Sequence, residues 1–90
     1  MPGPLRKADD RFSQTEIDGE VVVMDLDNGN FFSLTGTAAA IWQLIDGTRD
    51  RAALLAELAE HYGRTVDELA EETDAFLAQL SNAGLIESIK

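Results

Sequence analysis

One continuous stretch, residues 20–47, predicts a β-hairpin whose second strand leads directly into a helix. Residues 20–26 are rich in valine, a β-branched residue that favours strands. The turn residues Asp27-Asn28-Gly29 follow, and an aromatic segment then ends at Thr35, a suitable helix N-cap. Because no later segment has a comparable strand pattern, the second strand is expected to lie at a sheet edge. Such an edge leaves backbone N–H and C=O groups free to pair with another extended chain.

The register of this hairpin depends on the length of its loop. A three-residue loop over residues 27–29 makes one sheet face strongly apolar. That predicted core face holds Val22, Met24, Leu26, Phe32 and Leu34, joined by Ile17. The other face then holds Val21, Val23 and Phe31. A two-residue Asn28-Gly29 loop shifts the pairing by one residue and exchanges the faces. The three-residue loop gives the cleaner core and is the predicted one.

The remaining sequence predicts one earlier strand and three later helices. Residues 12–17 form the first strand, and Asp18-Gly19 favours a two-residue turn into the second. The helical segments, each bounded by capping residues and glycine, are residues 35–47, 50–63 and 65–84. Leu85 and Ile86 are expected to fold back on the core. Three strands followed by three helices predict an α+β, winged-helix-like domain with a three-stranded antiparallel sheet.

Length and charge limit the class of protein. A chain of 90 residues forms one domain, predicted over residues 11–90 after a flexible tail of residues 1–10. The net charge of −10 opposes binding to nucleic acid or to anionic lipid. From Thr65 to Ile89 the chain has six acidic residues and no lysine or arginine, the reverse of a DNA-reading helix. Without a signal peptide or a membrane-spanning run, a cytoplasmic location is expected.

Residues suited to catalysis or to metal binding are sparse. His61 is the single histidine, and one histidine among serines of unknown position does not establish a Ser-His-Asp set. Because there is no cysteine, a thiolate metal site is excluded. The glycines fit no phosphate-binding loop. Asp25, Asp27 and Asn28 resemble the start of a calcium loop, but its later ligands are missing. We therefore expect no enzymatic activity, no cofactor and no metal.

Binding of an extended peptide remains as the predicted function. A peptide strand could add to the edge at Asn30–Ser33, with the third helix as the opposite wall of a groove. The helix residues considered for that wall are Ala70, Thr73 and Leu77, which could equally pack inside the domain. The alternative is a structural module that uses the same edge, or the face with Phe31, to form a homodimer.

Several segments of the sequence resemble the PqqD-like family. They are residues 22–26, 29–38, 41–47, 76–80 and 84–86, so the likeness extends over roughly residues 12–87. The family often has asparagine at the position of Thr35, which is a mild departure because both residues cap helices.

The resemblance implies a recognition element for ribosomally made, post-translationally modified peptides. The leader of a precursor peptide would add as a strand and pack against the third helix, and the domain would present it to a maturation enzyme. The implied site residues are Asn30, Phe31, Phe32, Ser33, Val66, Ala70, Thr73 and Leu77. The enzyme is expected to be a lasso-type leader peptidase, with a radical S-adenosylmethionine enzyme as the alternative.

Overall fold

A three-stranded antiparallel sheet precedes three helices in the computed structural model, which describes residues 3–88. The elements are β1 (Leu5–Lys7), β2 (Phe12–Ile17), β3 (Glu20–Asp25), β4 (Phe31–Leu34), α1 (Gly36–Leu44), α2 (Arg51–Tyr62), α3 (Val66–Asn82) and β5 (Ile86–Ser88). The sheet order is β2-β3-β4, and β1 pairs separately with β5. The predicted α+β class, with this sheet followed by three helices, is confirmed.

The turn between β2 and β3 has the predicted two residues. Asp18 and Gly19 adopt φ angles of 51° and 81°. Two consecutive positive φ angles define the turn type that matches the twist of a hairpin, and Asp-Gly is favoured there. Ile17 consequently pairs with Glu20 across the turn.

The loop between β3 and β4 is longer than predicted. It has four residues, Leu26 to Gly29, and is closed by the N–H of Asp25, which donates to the carbonyl of Asn30 at 2.7 Å. Val23 therefore pairs with Phe32 and Met24 with Phe31. The predicted register, with Met24 opposite Phe32, is wrong by one residue.

This shift exchanges the two faces of β3. Val21 and Val23 are buried, whereas Met24 is 44% exposed and Leu26 in the loop is 56% exposed. Ile17, also assigned to the core, is 57% exposed. On β4 the predicted inward residues are correct, since Leu34 is buried and Phe32 is half-buried against the core. Three consecutive valines make both faces of β3 apolar, so alternation of apolar and polar residues does not select the register.

Capping residues set the ends of the second and third helices as predicted. The Asp50 side chain accepts a hydrogen bond from the N–H of Ala53, and Gly63 ends α2 in the left-handed conformation. Thr65 and Glu68 form the predicted capping box at the start of α3. Thr35 stands at the N-cap of α1, but its side chain makes no capping hydrogen bond.

Trp42 of α1 joins the helices to the inner face of the sheet. Its indole N–H donates to the side-chain carbonyl of Gln14 on β2 at 2.9 Å. The ring of Phe12 meets the indole edge-on at a centroid distance of 5.0 Å, and the Lys7 ammonium lies 5.1 Å from the indole centroid. Burial is the main reason that the pKa of Lys7 falls below its usual value. This cluster holds α1 beneath β2.

The chain ends meet in a small second sheet. Leu5 is completely buried, and β1 pairs antiparallel with β5. Within residues 1–10, for which the sequence predicts a flexible tail, residues 5–7 form β1, whose pairing partners lie at the far end of the sequence. Leu85 and Ile86 are buried, as expected. Met1 and Pro2 lie outside the described residues, as do Ile89 and Lys90. No helix in the described part of the chain is long and apolar enough to cross a membrane.

Candidate functional site

β4 is one of the two edge strands of the three-stranded sheet, and β2 is the other. Within residues 3–88, β4 pairs with β3 along one side, and no strand pairs along the other. The strand is only four residues long, and it continues through Thr35 directly into α1. The predicted position of the hairpin's second strand at a sheet edge is thus confirmed.

Hydrogen bonding in the hairpin determines which backbone groups face this edge. Asp25 and Asn30 form a hydrogen-bonded pair at the loop. Pairs alternate along an antiparallel ladder, so Phe32 and Leu34 direct their N–H and C=O groups toward β3. The N–H and C=O groups of Phe31 and Ser33 therefore point away from the sheet. These two residues offer four backbone groups to an incoming strand.

The side chains of β4 divide between the two faces of the sheet. Phe32 and Leu34 face the core, whereas Phe31 and Ser33 face solvent. Phe31 is 70% exposed and stands opposite Met24 on the outer face. A peptide strand added to β4 would therefore have the exposed Phe31 ring beside it on the outer face of the sheet.

The helix residues predicted for the opposite wall differ in accessibility. Thr73 is completely buried and Leu77 is 3% exposed, which agrees with internal packing, the alternative reading of these two positions. Val66 is 42% exposed, and Ala70 is half-buried. A peptide resting on α3 in this conformation could reach Val66 and Ala70 but not the other two.

An ion pair shows which flank of α3 faces α2. The Arg51 guanidinium, at the start of α2, donates to both carboxylate oxygens of Asp74 at 2.6 and 2.8 Å. Its hydrogen bonds hold the pKa of Asp74 below the usual value. Ala70 precedes Asp74 by four residues and so shares its flank of the helix. Val66, eight residues before Asp74, lies about 80° around the helix from it, between the flanks of Asp74 and Phe76.

Phe76 is a half-buried aromatic side chain that the sequence reasoning did not assign to the site. It lies two residues after Asp74, about 200° around the helix, and therefore on the flank that faces away from the Arg51 contact. Combining the helical period with the predicted core stripe would have identified this position. Phe76 is the large apolar residue of α3 with accessible surface on the side opposite α2.

Acidic side chains dominate the surface of α3. Glu71 and Glu72 are exposed, and Asp67 and Glu68 occupy the first turn, where the helix dipole favours negative charge. Hydrogen bonds from Thr65, followed by one from Arg64, lower the pKa of Glu68. This surface favours a neutral or basic partner over an acidic one.

The single histidine of the chain lies away from the β4 edge. His61 lines a shallow hollow between α1 and α2 together with Gln43 and Glu57. Among residues 3–88, no three His, Cys, Asp or Glu side chains are arranged to hold a metal ion. What the edge offers chemically is backbone hydrogen bonding beside apolar surface.

Comparison with known proteins identifies related sequences and folds. A family model described as "Coenzyme PQQ synthesis protein D (PqqD)" matches residues 20–86, which include β3, β4 and all three helices. The fold is similar to a solved structure described as "TbiB1 in Complex with the TbiA(beta) Leader Peptide", with a TM-score of 0.81. The sequences are 24% identical, and the match covers 94% of this chain and 98% of that chain. No curated protein sequence matches the chain.

Proposed function

The chain belongs to the PqqD family, and on this premise we propose that it recognises the leader segment of a ribosomally made precursor peptide. The leader adds as a β-strand to β4, along Asn30–Ser33, and the domain presents the precursor to a maturation enzyme. The domain itself performs no chemistry and requires no cofactor. Its contribution is a higher effective concentration of the precursor at that enzyme.

The open edge of β4 is the observation that carries this proposal. The outward N–H and C=O groups of Phe31 and Ser33 can each pair with a peptide backbone. Strand addition draws affinity from such main-chain bonds and specificity from neighbouring side chains. The similarity in fold to TbiB1, which was solved with a leader peptide, supports recognition of a leader peptide.

On the inner side of the added strand, α3 supplies the second wall. Phe32 and Phe76 are half-buried aromatic residues that can receive inward-facing peptide side chains. Val66 and Ala70 remain proposed contacts nearer the start of α3. Thr73 and Leu77 are buried and pack inside the domain in this conformation.

The partner enzyme is proposed from the resemblance to the PqqD family. We favour a leader peptidase of lasso-peptide maturation, with a radical S-adenosylmethionine enzyme as the alternative. We propose a cytoplasmic location, because ribosomally made precursors arise there. The net charge of −10 argues against nucleic acid and anionic membranes as partners.

Titration by NMR tests the proposal directly. Overlapping synthetic peptides that tile the leaders of precursors encoded near the gene are added to the isotopically labelled protein. Amide shifts are expected to cluster on residues 29–34 and on α3. The proposal is overturned if no leader binds, or if the shifts of a bound leader cluster elsewhere.

A proline at position 31 tests the direction of the backbone groups. Phe31→Pro removes an N–H that faces the peptide and leaves the ladder to β3 intact, and edge strands tolerate proline. Phe31→Ala removes the same aromatic ring but keeps the N–H. Proline should weaken leader binding by about threefold to tenfold beyond alanine, the worth of one hydrogen bond. Equal affinities for two folded variants would contradict the assigned edge geometry.

Self-association through the same edge is the second candidate function. The observation that favours it is the exposure of Ile17, Met24 and Phe31 on the outer face of the sheet. A homodimer that covers β4 would compete with any leader peptide, so the two functions predict opposite effects of protein concentration on peptide binding.

A further inference from the structure

The outer face of the sheet has an apolar cluster beside the open edge. Phe31 and Met24 lie directly opposite one another on adjacent strands, and both are exposed. Leu26, also exposed, follows two residues after Met24 in the loop. Clustered exposed apolar side chains are typical of interaction surfaces, unlike single ones. The cluster ends at Phe31, where the sheet itself ends.

Strand addition would bring one peptide side chain onto this cluster. A strand paired with β4 lies about 4.8 Å from it, and directly opposite residues share a face of the sheet. The peptide residue opposite Phe31 therefore projects onto the outer face, whether the peptide runs parallel or antiparallel. The side chains of Met24, Phe31 and this peptide residue would then lie next to one another across three adjacent strands.

We infer that Phe31 selects a large apolar or aromatic side chain at the peptide position opposite it. This inference rests on the proposed function and concerns the sequence of the bound peptide. A large apolar side chain there would shield the exposed Phe31 ring from water, whereas a polar or small one would leave it exposed. Aromatic and β-branched cross-strand pairs add stabilisation that polar residues opposite an aromatic ring do not supply.

Distance and charge argue against two other ways of covering the outer face of the sheet. Ile17 lies on β2, two strands from β4, so a single peptide strand cannot reach it. Covering the whole face with a second copy would bring together two chains that each have a net charge of −10. Given the register of the hairpin, the group that covers the apolar cluster is the peptide side chain opposite Phe31.

A coupled substitution experiment tests the inference. Each residue of a leader peptide that binds in the titration is replaced in turn by serine. Affinities are measured by calorimetry for the wild-type protein, for Phe31→Ser and for Ile17→Ser. Ile17→Ser is the matched control, since it removes an exposed apolar side chain from the same face but two strands away. Thermal unfolding verifies that both variants are folded.

We expect one peptide position at which the effect of serine substitution depends on the presence of Phe31. Serine at that position should weaken binding to the wild type and to Ile17→Ser by about tenfold, and to Phe31→Ser by no more than about twofold. If a leader binds tightly but no serine substitution in it depends on Phe31, the inference is overturned. The proposed function of leader binding is still supported in that case. Equal losses of affinity with Ile17→Ser and Phe31→Ser also overturn it, because the effect would then not depend on contact with the residue opposite Phe31. If no leader binds the wild type, the proposed function fails as well.

Discussion

At the scale of single residues, Thr73 places a hydroxyl group inside an apolar core. The residue is completely buried, and its Oγ1 has no hydrogen-bond partner among the described residues. A buried polar group without a partner loses its bonds to water and gains none in return. Thr73 therefore reduces the stability of the folded state.

Replacing this hydroxyl by a methyl group should stabilise the protein. Thr73→Val has nearly the same shape, and we expect the free energy of unfolding to rise by about 1 kcal/mol. Urea denaturation measures the change. Thr73→Ser is the matched control, because it keeps the hydroxyl and loses a methyl group, and it should lower stability. A fall in stability with valine would indicate that Oγ1 is satisfied by a buried water molecule.

Two side chains at the hairpin turn, one at the end of β3 and one in the loop, explain why the strand pairing could not be predicted. The Asp25 carboxylate accepts a hydrogen bond from the N–H of Asp27, and the Asn28 side chain accepts one from the N–H of Asn30, both at 2.9 Å. These local bonds favour the four-residue loop over the three-residue loop. The turn residues correctly indicated where the chain reverses, but not which of them belong to the strands.

At the scale of elements, β1 shows a contact that local patterns do not reveal. Leu5 is buried, its N–H donates to the carbonyl of Arg49, and its carbonyl accepts from the N–H of Gly47, both at 2.8 Å. Residues near two prolines, with no periodic pattern, gave no sign of this strand. In contrast, α2 and α3 were predictable because their caps are encoded within each segment.

Removing the Leu5 side chain should test how much β1 contributes. Leu5→Ala leaves a cavity in the core, and the free energy of unfolding should fall by about 2–4 kcal/mol. Leu26→Ala makes the same chemical change at a position that is 56% exposed and should have little effect. Chemical denaturation of both variants measures the difference. Equal stabilities would mean that residues 5–7 behave as the loose tail that the sequence predicted.

The ion pair between α2 and α3 should make stability depend on pH in the acidic range. The hydrogen bonds from Arg51 lower the pKa of Asp74 in the folded protein, so the folded state binds fewer protons than the unfolded state. The contribution of the pair is therefore present above about pH 4, near the unfolded pKa of an aspartate, and is lost as pH falls through the lower folded value. Both side chains are nearly half exposed, so the effect is small.

Asp74→Asn isolates this contribution. The wild type should be the more stable protein at neutral pH. The difference should shrink as pH falls below about 4, the unfolded pKa of an aspartate, and vanish below the lower folded pKa of Asp74. Urea midpoints measured across that range provide the comparison. Glu71→Gln, an acidic surface position on the same helix, controls for the loss of one negative charge. A difference between wild type and Asp74→Asn that persists at low pH would contradict the assigned cause.

At the scale of the whole molecule, the excess of negative charge opposes both folding and self-association. The chain has 17 acidic and 7 basic residues, and the ion pairs among the described residues are largely exposed. Exposed pairs contribute little, whereas repulsion among like charges is reduced by salt. Moderate sodium chloride should therefore raise the unfolding temperature, and a decrease would mean that the ion pairs outweigh the repulsion.

The same repulsion predicts the state of association. At low salt and micromolar concentration, the protein should be a monomer that leaves the β4 edge open to a leader peptide. Salt screens the repulsion and favours contact between exposed apolar faces, so any dimer should form only at high salt and high protein concentration. Sedimentation equilibrium at several concentrations and two salt levels, for the wild type and Phe31→Ser, distinguishes the outcomes. A tight dimer at low salt that Phe31→Ser dissociates would favour self-association as the role of this edge over recognition of a peptide.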